Sequence, residues 1–299
     1  MGWVCEQRLK IFLIFLLLFS SRKKVERKNT RAVKTEKMTN LPEITSQVRT
    51  LSAKAAAFIA KEAKNFSTSA VELKGKSDLV SYVDKQTEEL LVAGLKEILP
   101  EAGFITEEDT PNQTDRDYIW IIDPLDGTTN FVHGLPTYAV SVALMHKDQV
   151  ILGVVHEVCR NESFYAWKGG GAYVNDQPIH VTPVTKIEDS LFATGFPYYQ
   201  FHKLEEYLAI LNELMKNCHG LRRIGSAAVD MAYVACGRCE GFFEYNLNAY
   251  DIAAGVIIVQ EAGGTITDFK GGDDFLFGRE LVAGGPVHAE LLKVVREHW

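Results

Sequence analysis

The strongest constraint on the fold of this chain is a short apolar run that ends in two closely spaced carboxylates. Residues 118–122 (YIWII) have the length and apolar character of a buried strand. Pro124 has no amide hydrogen with which to continue a sheet ladder, so the strand is predicted to stop at Asp123. Asp123 and Asp126 are then expected on a tight turn at the end of a buried strand.

The residues around this turn indicate a site for a metal ion and a phosphate. Carboxylates at a strand end suit hard cations such as Mg²⁺. Gly127 and the hydroxyl residues Thr128 and Thr129 follow, where a helix can begin. Free backbone N–H groups at a helix start suit a phosphate group. Residues 123–130 (DPLDGTTN) therefore predict metal-assisted phosphate chemistry.

Charge is distributed unevenly along the 299 residues. Residues 1–37 contain ten Lys and Arg against three Asp and Glu, whereas the remainder holds 22 basic and 36 acidic residues, a net charge of −14. Residues 38–299 are therefore strongly acidic, and an acidic protein binds nucleic acid poorly, so no nucleic-acid partner is expected. Such a protein suits an anionic substrate where bound cations reverse the local potential.

Residues 1–37 are interpreted as an N-terminal extension, disordered or not native, before a domain that starts at Met38. Their apolar core, residues 11–19, is far shorter than the roughly 20 residues of a membrane-spanning helix. A secretory signal is the alternative, with Arg8 and Lys10 as its basic flank. Against export, no A-x-A-like site follows, and the next residues are again strongly basic. No membrane partner is expected unless residues 11–19 act as an anchor.

The five cysteines form an odd set without a regular framework, which favours a reducing compartment and predicts a cytoplasmic protein. Cys236 and Cys239 have C-x-x-C spacing. A redox motif of this kind opens a helix after a strand, whereas this one closes a predicted helix. A structural role is therefore predicted for this pair.

Hydrophobic periodicity predicts both helices and strands. An antiparallel meander is expected from Thr137 to about Val181, where turn residues separate apolar runs. Residues 169–171 (GGG) are assigned to a hairpin turn, because no Lys-Ser or Lys-Thr pair follows them as in a phosphate-binding loop. Helices are predicted over 43–64, 86–98, 204–214, 226–235, 252–261 and 287–297, and strands over 103–105, 241–244, 265–269 and 281–283.

Five acidic residues each lie at the end of a predicted helix or strand and not in its middle. They are Asp84, Glu107, Asp123, Asp126 and Asp251. Taken alone, each has a simpler explanation: a helix start, a solvated acidic loop or a turn cap. Taken together, carboxylates that converge without cations would repel one another, and divalent metal ions remove that repulsion.

At this point the chain resembles a known family, the Mg²⁺-dependent, lithium-sensitive inositol monophosphatases. Residues 120–131 (WIIDPLDGTTNF) match the first signature of that family. Residues 249–255 (AYDIAAG) match the second, with Tyr where Trp is common. Residues 105–108 (ITEE) resemble a Gly-Glu-Glu segment, with Thr in place of Gly.

The resemblance implies a site for two or three Mg²⁺ ions. Glu107, Asp123 and the backbone carbonyl of Leu125 would hold the first ion. Asp123, Asp126 and Asp251 would hold the second, with Asp123 as the bridge. The chemistry agrees, because one metal lowers the pKa of its water while the other stabilises the leaving alkoxide.

The same resemblance implies the catalytic and phosphate-binding residues. Thr128, near Glu107 and Asp84, would orient the water that attacks phosphorus. Gly127 and Thr128 would bind phosphate oxygens at the helix start. Backbone N–H groups there take up charge that develops on the transferring phosphoryl group.

Substrate-binding residues are implied further along the chain. Asp126, Gly225, Ala227, Glu244 and Asp251 match family positions that contact the inositol ring. For Glu244 a paired structural carboxylate is the alternative, because buried carboxylates are usually partnered.

Four basic residues are left open. Arg222 and Arg223 lie close to the substrate positions, where they would steer a phosphate or simply be solvated. The family often has a lysine near a third metal site, and the spacing does not choose between Lys74 and Lys76.

The fold that the resemblance implies is a layered α/β (α+β) sandwich, shared with fructose-1,6-bisphosphatase. It has an antiparallel sheet and a second, mixed sheet between helical layers. The domain would span residues 38–299, with subregions at about 43–185 and 186–299. A homodimer is also implied.

The predicted activity is hydrolysis of myo-inositol monophosphate, or of a similar sugar or polyol phosphate, by a metal-activated water. Residues 127–131 (GTTNF) resemble the inositol branch of the family. Phosphatases of 3′-phosphoadenosine 5′-phosphate, fructose 1,6-bisphosphate or histidinol phosphate are the related alternatives. A non-catalytic regulatory binding protein is the other alternative, although no expected metal ligand is missing from the sequence.

Overall fold

The computed structural model describes residues 40–66, 71–73, 79–108, 114–197 and 201–299. Pro42–Trp299 form one compact unit. The interpretation of residues 1–37, and the choice between Lys74 and Lys76, lie outside the described residues.

Seven α-helices lie in the described part of the chain. They are α1 (Leu41–Ala63), α2 (Tyr82–Ile98), α3 (Thr128–His133), α4 (Leu204–Asn217), α5 (Ala227–Ala235), α6 (Ala249–Glu261) and α7 (His288–His298). The six helices predicted from periodicity are confirmed, with ends that differ by a few residues. Among the described residues, no helix is both long and apolar enough to cross a membrane.

The larger sheet has seven strands in the order β3-β4-β5-β6-β7-β8-β9. The strands are β3 (Gly103–Thr106), β4 (Tyr118–Asp126), β5 (Ala139–His146), β6 (Gln149–Glu157), β7 (Glu162–Trp167), β8 (Ala172–Val174) and β9 (Gln177–Ile179). From β4 onward every neighbouring pair is antiparallel, which confirms the predicted meander. β3 joins β4 in parallel, so both strands end at the same edge of the sheet.

The second sheet has five strands in the order β11-β10-β12-β14-β13. They are β10 (Leu191–Thr194), β11 (Gly220–Arg222), β12 (Gly241–Tyr245), β13 (Thr265–Thr267) and β14 (Glu280–Gly284). β10 pairs in parallel with β11 and β12, and the remaining pairs are antiparallel, so the sheet is mixed. A separate hairpin joins β1 (Val71–Leu73) to β2 (Leu79–Ser81).

Helices and sheets alternate in layers. α5 and α6 lie between the two sheets, with α6 against β4–β7 and α5 against β10, β12 and β14. Both helices are apolar on nearly every side, as a helix covered from both directions requires. α2 packs on β4, and α4 and α7 pack on the far side of the second sheet. This arrangement is the predicted layered α/β sandwich.

One prediction about β4 is wrong. The strand continues past Pro124 and ends at Asp126, not at Asp123. Asp123 pairs with Ser141 and Asp126 with Ala139, and the register shifts between them. Pro124 lies in this bulge, where no ladder N–H is needed. The bulge brings both carboxylates to one end of the strand.

A buried histidine on β6 makes the fold sensitive to acid. His156 is buried, its Nε2 lies 3.2 Å from Asn161 Oδ1, and its Nδ1 has no hydrogen-bond partner within the described structure. Burial lowers the pKa of His156 below its ordinary value. Because the unfolded chain then binds the proton more readily, His156 reduces stability as pH falls below about 6.5.

We expect His156→Gln to flatten the pH dependence of the free energy of unfolding. The change in slope between about pH 7.5 and 5.5 should reach at most about 1.4 kcal/mol per pH unit. Urea unfolding of both proteins across this range measures it. Carboxyl groups with a raised pKa increase stability as pH falls, which is the opposite effect. Their contribution is the same in both proteins and cancels when the two free energies of unfolding are subtracted. Parallel curves would contradict the assignment.

Candidate active site

The predicted site residues converge on one cavity of about 380 Å³. The cavity lies where the ends of β3, β4 and β12 meet the starts of α3, α5 and α6. Ten of the eleven predicted residues line it: Glu107, Asp123, Leu125, Asp126, Gly127, Thr128, Gly225, Ala227, Glu244 and Asp251. The eleventh, Asp84, contacts the cavity wall through Thr128.

Asp126 is held at the start of α5. Its Oδ2 accepts hydrogen bonds from Ser226 Oγ at 2.6 Å and from the backbone N–H of Ala228 at 2.7 Å. Ser226 is also the N-cap of the helix, since its Oγ accepts from the N–H of Val229. One oxygen of Asp126 is thus fixed by the helix terminus, and Oδ1 is left for another ligand.

Asp123 and Asp251 are oriented in a similar way. Oδ1 of Asp123 accepts the N–H of Leu125 at 3.0 Å across the bulge. Asp251 is the third residue of α6, and its Oδ2 accepts the N–H of the N-cap residue Asn248 at 2.6 Å. Asp251 is therefore a helix-capping residue, as one interpretation of the sequence predicted. Capping uses only one of its carboxylate oxygens, and the side chain also lines the cavity.

Burial raises the pKa of all three carboxyl groups. The pKa of Asp126 rises to about 6, partly opposed by the Ser226 hydroxyl, and that of Asp251 rises to about 7, with the Asp126 charge as a second cause. The pKa of Asp123 lies well above its usual range because of burial, then Glu107 and the other two carboxylates. Buried anions that repel one another favour a bound cation.

The oxygen atoms that line the cavity are of the chemical type that Mg²⁺ prefers. The carboxylates of Glu107, Asp123, Asp126 and Asp251 and the carbonyl oxygen of Leu125 are hard oxygen ligands in one cavity. Across the described ranges, however, no three Asp, Glu, His or Cys side chains are already grouped tightly enough to hold a metal ion. Coordination would therefore require some of the side chains other than that of Asp126 to rotate toward the ion.

Thr128 connects the metal end of the cavity with Asp84. Its Oγ1 lies 3.0 Å from Asp84 Oδ1 and 2.9 Å from the carbonyl oxygen of Leu125. Asp84 Oδ2 is taken by the N–H and hydroxyl of Ser81, in a capping box at the start of α2. Asp84 is thus both a helix cap and a fixed acceptor for the Thr128 hydroxyl.

Gly127 is the residue that lets the chain turn from β4 into α3. It has φ 92°, in the left-handed region where a side chain is strained. Its backbone lies so close to the carbonyl oxygens of Thr137 and Gly225 that a Cβ would stand 3.1–3.2 Å from them. The phosphate-binding role of Gly127 and Thr128 stays a prediction.

Glu244, near the end of β12, also lines the cavity. Burial raises its pKa well above the ordinary value, Asp251 raises it further, and Arg223 opposes the shift. No hydrogen bond joins its carboxylate to another described residue, and Arg223 supplies a nearby positive charge. The substrate-binding role and the paired structural role of Glu244 both stay predictions. Arg223 lines the cavity and Arg222 is exposed.

Sequence reasoning missed Asp230, which also lines the cavity. It is buried in α5, and its Oδ1 makes no hydrogen bond to any described residue. Burial raises its pKa well above the usual range, and Glu244 and Asp126 add to the shift. A signal was available, because Asp230 is the only charged residue within the apolar helix Ala227–Ala235.

The predicted structural role of the C-x-x-C pair is consistent with the structure. Cys236 ends α5 and Cys239 is buried, and both are free thiols. Neither lines the cavity.

Comparison with known proteins gives concordant results. A sequence profile described as the Inositol monophosphatase family matches residues 40–299. An inositol-1-monophosphatase of Mesorhizobium japonicum is 42% identical over 76% of this chain and 86% of its own length. The Nus factor SuhB of Escherichia coli K12 is 42% identical over 75% of this chain and 85% of its own. The crystal structure of extragenic suppressor protein suhB from Bartonella henselae has a TM-score of 0.80 and 36% identity, covering 86% of this chain and 100% of that one.

Proposed function

Because this chain belongs to the inositol monophosphatase family, we propose that it is a Mg²⁺-dependent phosphomonoesterase. Its substrate would be myo-inositol monophosphate or a similar polyol phosphate, cleaved to the alcohol and inorganic phosphate. The observation that carries the proposal is the arrangement of Asp123, Asp126 and Asp251. Each is oriented through one oxygen by the fold, and all three line one cavity.

Glu107, Asp123, Asp126, Asp251 and the carbonyl of Leu125 would hold the ions. Bound Mg²⁺ supplies Lewis-acid stabilisation of the phosphate ester and lowers the pKa of water. The two-metal mechanism needs no covalent intermediate with the protein, because the nucleophile is water.

Thr128 and Asp84 would orient the attacking water. When the Thr128 hydroxyl donates its single proton to Asp84 Oδ1, its oxygen lone pairs face other donors, such as a water. Asp84 is itself immobilised by two bonds from Ser81, so this orientation is maintained. Such positioning contributes to rate through proximity and alignment.

The part of the cavity around Glu244 would receive the alcohol portion of the substrate. The carboxylate of Glu244 is an acceptor for hydroxyl groups, of which a polyol offers several. The cavity of about 380 Å³ falls within the range of about 300–1,000 Å³ typical of small-molecule sites. The volume accommodates any of the candidate substrates, and a polyol phosphate is ranked first because residues 127–131 (GTTNF) resemble the inositol branch of the family.

A substrate panel tests this proposal. We expect phosphate release from myo-inositol 1-phosphate with Mg²⁺ and loss of that activity with EDTA, because the carboxylates need the cation to bind a phosphate ester. 3′-Phosphoadenosine 5′-phosphate, fructose 1,6-bisphosphate and histidinol phosphate should be cleaved less well, and Li⁺ should inhibit. Colorimetric detection of released phosphate measures the cleavage of all four substrates. No release from any of them would exclude the phosphatase proposal.

A regulatory function is the second candidate, because relatives 42% identical to this chain are named Nus factor SuhB. Asp123→Asn separates the two functions. If catalysis serves the cell, a strain lacking this chain is rescued by the wild type but not by the variant. Rescue by both would favour a regulatory role that does not use phosphate release.

The cytoplasmic location and the homodimer are likewise part of the proposal. Light scattering should give twice the 33.4 kDa chain mass. A mass equal to one chain would contradict the dimer.

A further inference from the structure

Two strands of the second sheet place Gly195 beside Glu244. β10 and β12 run in parallel, and Thr194, the last residue of β10, pairs with Phe243 of β12. Gly195 follows the last residue of β10, Glu244 is the next residue of β12, and both line the cavity. Side chains at neighbouring positions of parallel strands share one face of the sheet, so residue 195 and Glu244 compete for the same space.

The carboxyl group of Glu244 occupies the volume where a side chain at residue 195 would stand. A Cβ on Gly195 would lie 2.0 Å from Cδ and Oε1 of Glu244 and 2.1 Å from Oε2. These distances are far below van der Waals contact, so a Cβ and the present position of the carboxylate exclude one another.

The backbone at residue 195 is held in place by a buried hydrogen-bond network. The carbonyl oxygen of Gly195 accepts from the Tyr207 hydroxyl at 3.0 Å. The Thr194 hydroxyl donates to the carbonyl oxygen of Phe243 at 2.9 Å. Thr194 and Tyr207 are almost completely buried. Relief of a clash would therefore come from the flexible end of Glu244 and not from the strand.

We infer that Gly195 is a specificity-determining positioning residue, whose missing side chain keeps the Glu244 carboxylate on the polyol-binding wall. The inference rests on the proposed function. Glu244 has no hydrogen bond of its own among the described residues, so the space above Gly195 and the attraction of Arg223 define where it lies. A side chain at residue 195 would turn the carboxylate away from the hydroxyls it would bind.

The test substitutes Gly195→Ala. The φ of Gly195 lies outside the left-handed region, so alanine adopts the same backbone and the fold is expected to survive. We expect the ratio of kcat/KM for myo-inositol 1-phosphate to that for 4-nitrophenyl phosphate to fall about tenfold, as for loss of one charge-assisted hydrogen bond. The fall should come mainly from KM for the polyol substrate.

Gly94→Ala is the matched control. Its Cβ, in α2 and outside the cavity, would meet the flexible end of Leu51 at 2.7 Å, which is a milder clash than that at Gly195. The ratio of kcat/KM values should not change in this variant. An equal fall in both variants would mean that general destabilisation, not Glu244, is responsible.

A double-mutant cycle with Glu244→Ala decides whether Gly195 acts through Glu244. In that background the added methyl group has no carboxylate to displace, so Gly195→Ala should have no further effect on the ratio. Full additivity of the two effects would overturn the inference. If the wild type cleaves 4-nitrophenyl phosphate but prefers no polyol phosphate, the inference fails. If the wild type cleaves neither substrate, the proposed function fails first.

Discussion

Asp123→Asn is expected to abolish phosphate release while the protein stays folded. Asp123 is the predicted bridge between two metal ions, and an amide oxygen is a much poorer ligand than a carboxylate. Loss of metal stabilisation of about 4 kcal/mol would reduce kcat about 10³-fold. Initial rates with myo-inositol 1-phosphate at saturating Mg²⁺ measure the effect.

Stability separates this effect from misfolding. Replacing one of several buried carboxylates by a neutral amide reduces their repulsion, so the thermal midpoint without Mg²⁺ should not fall. Asp148→Asn is the matched control, since Asp148 is an exposed turn residue outside the cavity. It should retain full activity. Wild-type turnover by Asp123→Asn would refute the metal assignment.

Thr128→Ala is expected to lower kcat by about 10²-fold, because the attacking water loses its alignment. Binding should change less, since the phosphate contact predicted for the backbone N–H of Thr128 survives. The measurement is kcat and KM for myo-inositol 1-phosphate, compared with those of the wild type.

Thr128→Ser provides the control, because it keeps the hydroxyl that meets Asp84 at 3.0 Å. It should recover most of the lost kcat, to within about tenfold of the wild type. If the serine variant is as slow as the alanine variant, the methyl group of Thr128 matters and the hydroxyl does not. The assigned role would then be wrong.

Much of the fold was predictable because its helices and strands have clear periodicity. The meander from β5 to β9 follows alternating apolar runs and turns, and α6 follows a long apolar segment that stops at Gly263. The path of β4 was not predictable from Pro124 alone. A proline ends a regular ladder, but a bulge removes the need for its N–H, and only the pairing with β5 shows where the bulge lies.

Most residues of the candidate site could be predicted from the sequence, but the hydrogen bonds and contacts among them could not. Edge positions and signatures identified Asp123 and Asp251, although the hydrogen bonds that fix one oxygen of each depend on exact backbone geometry. Asp230 was missed because it lies within a helix, whereas the other carboxylates were recognised by their positions at the edges of elements. Predicting that residue 195 lies beside Glu244 requires the register of two parallel strands, and hydrophobic periodicity does not give that register.

The bond between Asp126 and the start of α5 has a consequence for metal affinity. Ser226 and Ala228 lie a hundred residues or more from Asp126 in sequence, yet they set its rotamer before any ion arrives. The entropy of ordering this ligand is therefore lost during folding and not again during binding. A substitution at residue 226 would therefore be expected to change the affinity for the proposed Mg²⁺ without altering any of the proposed ligands.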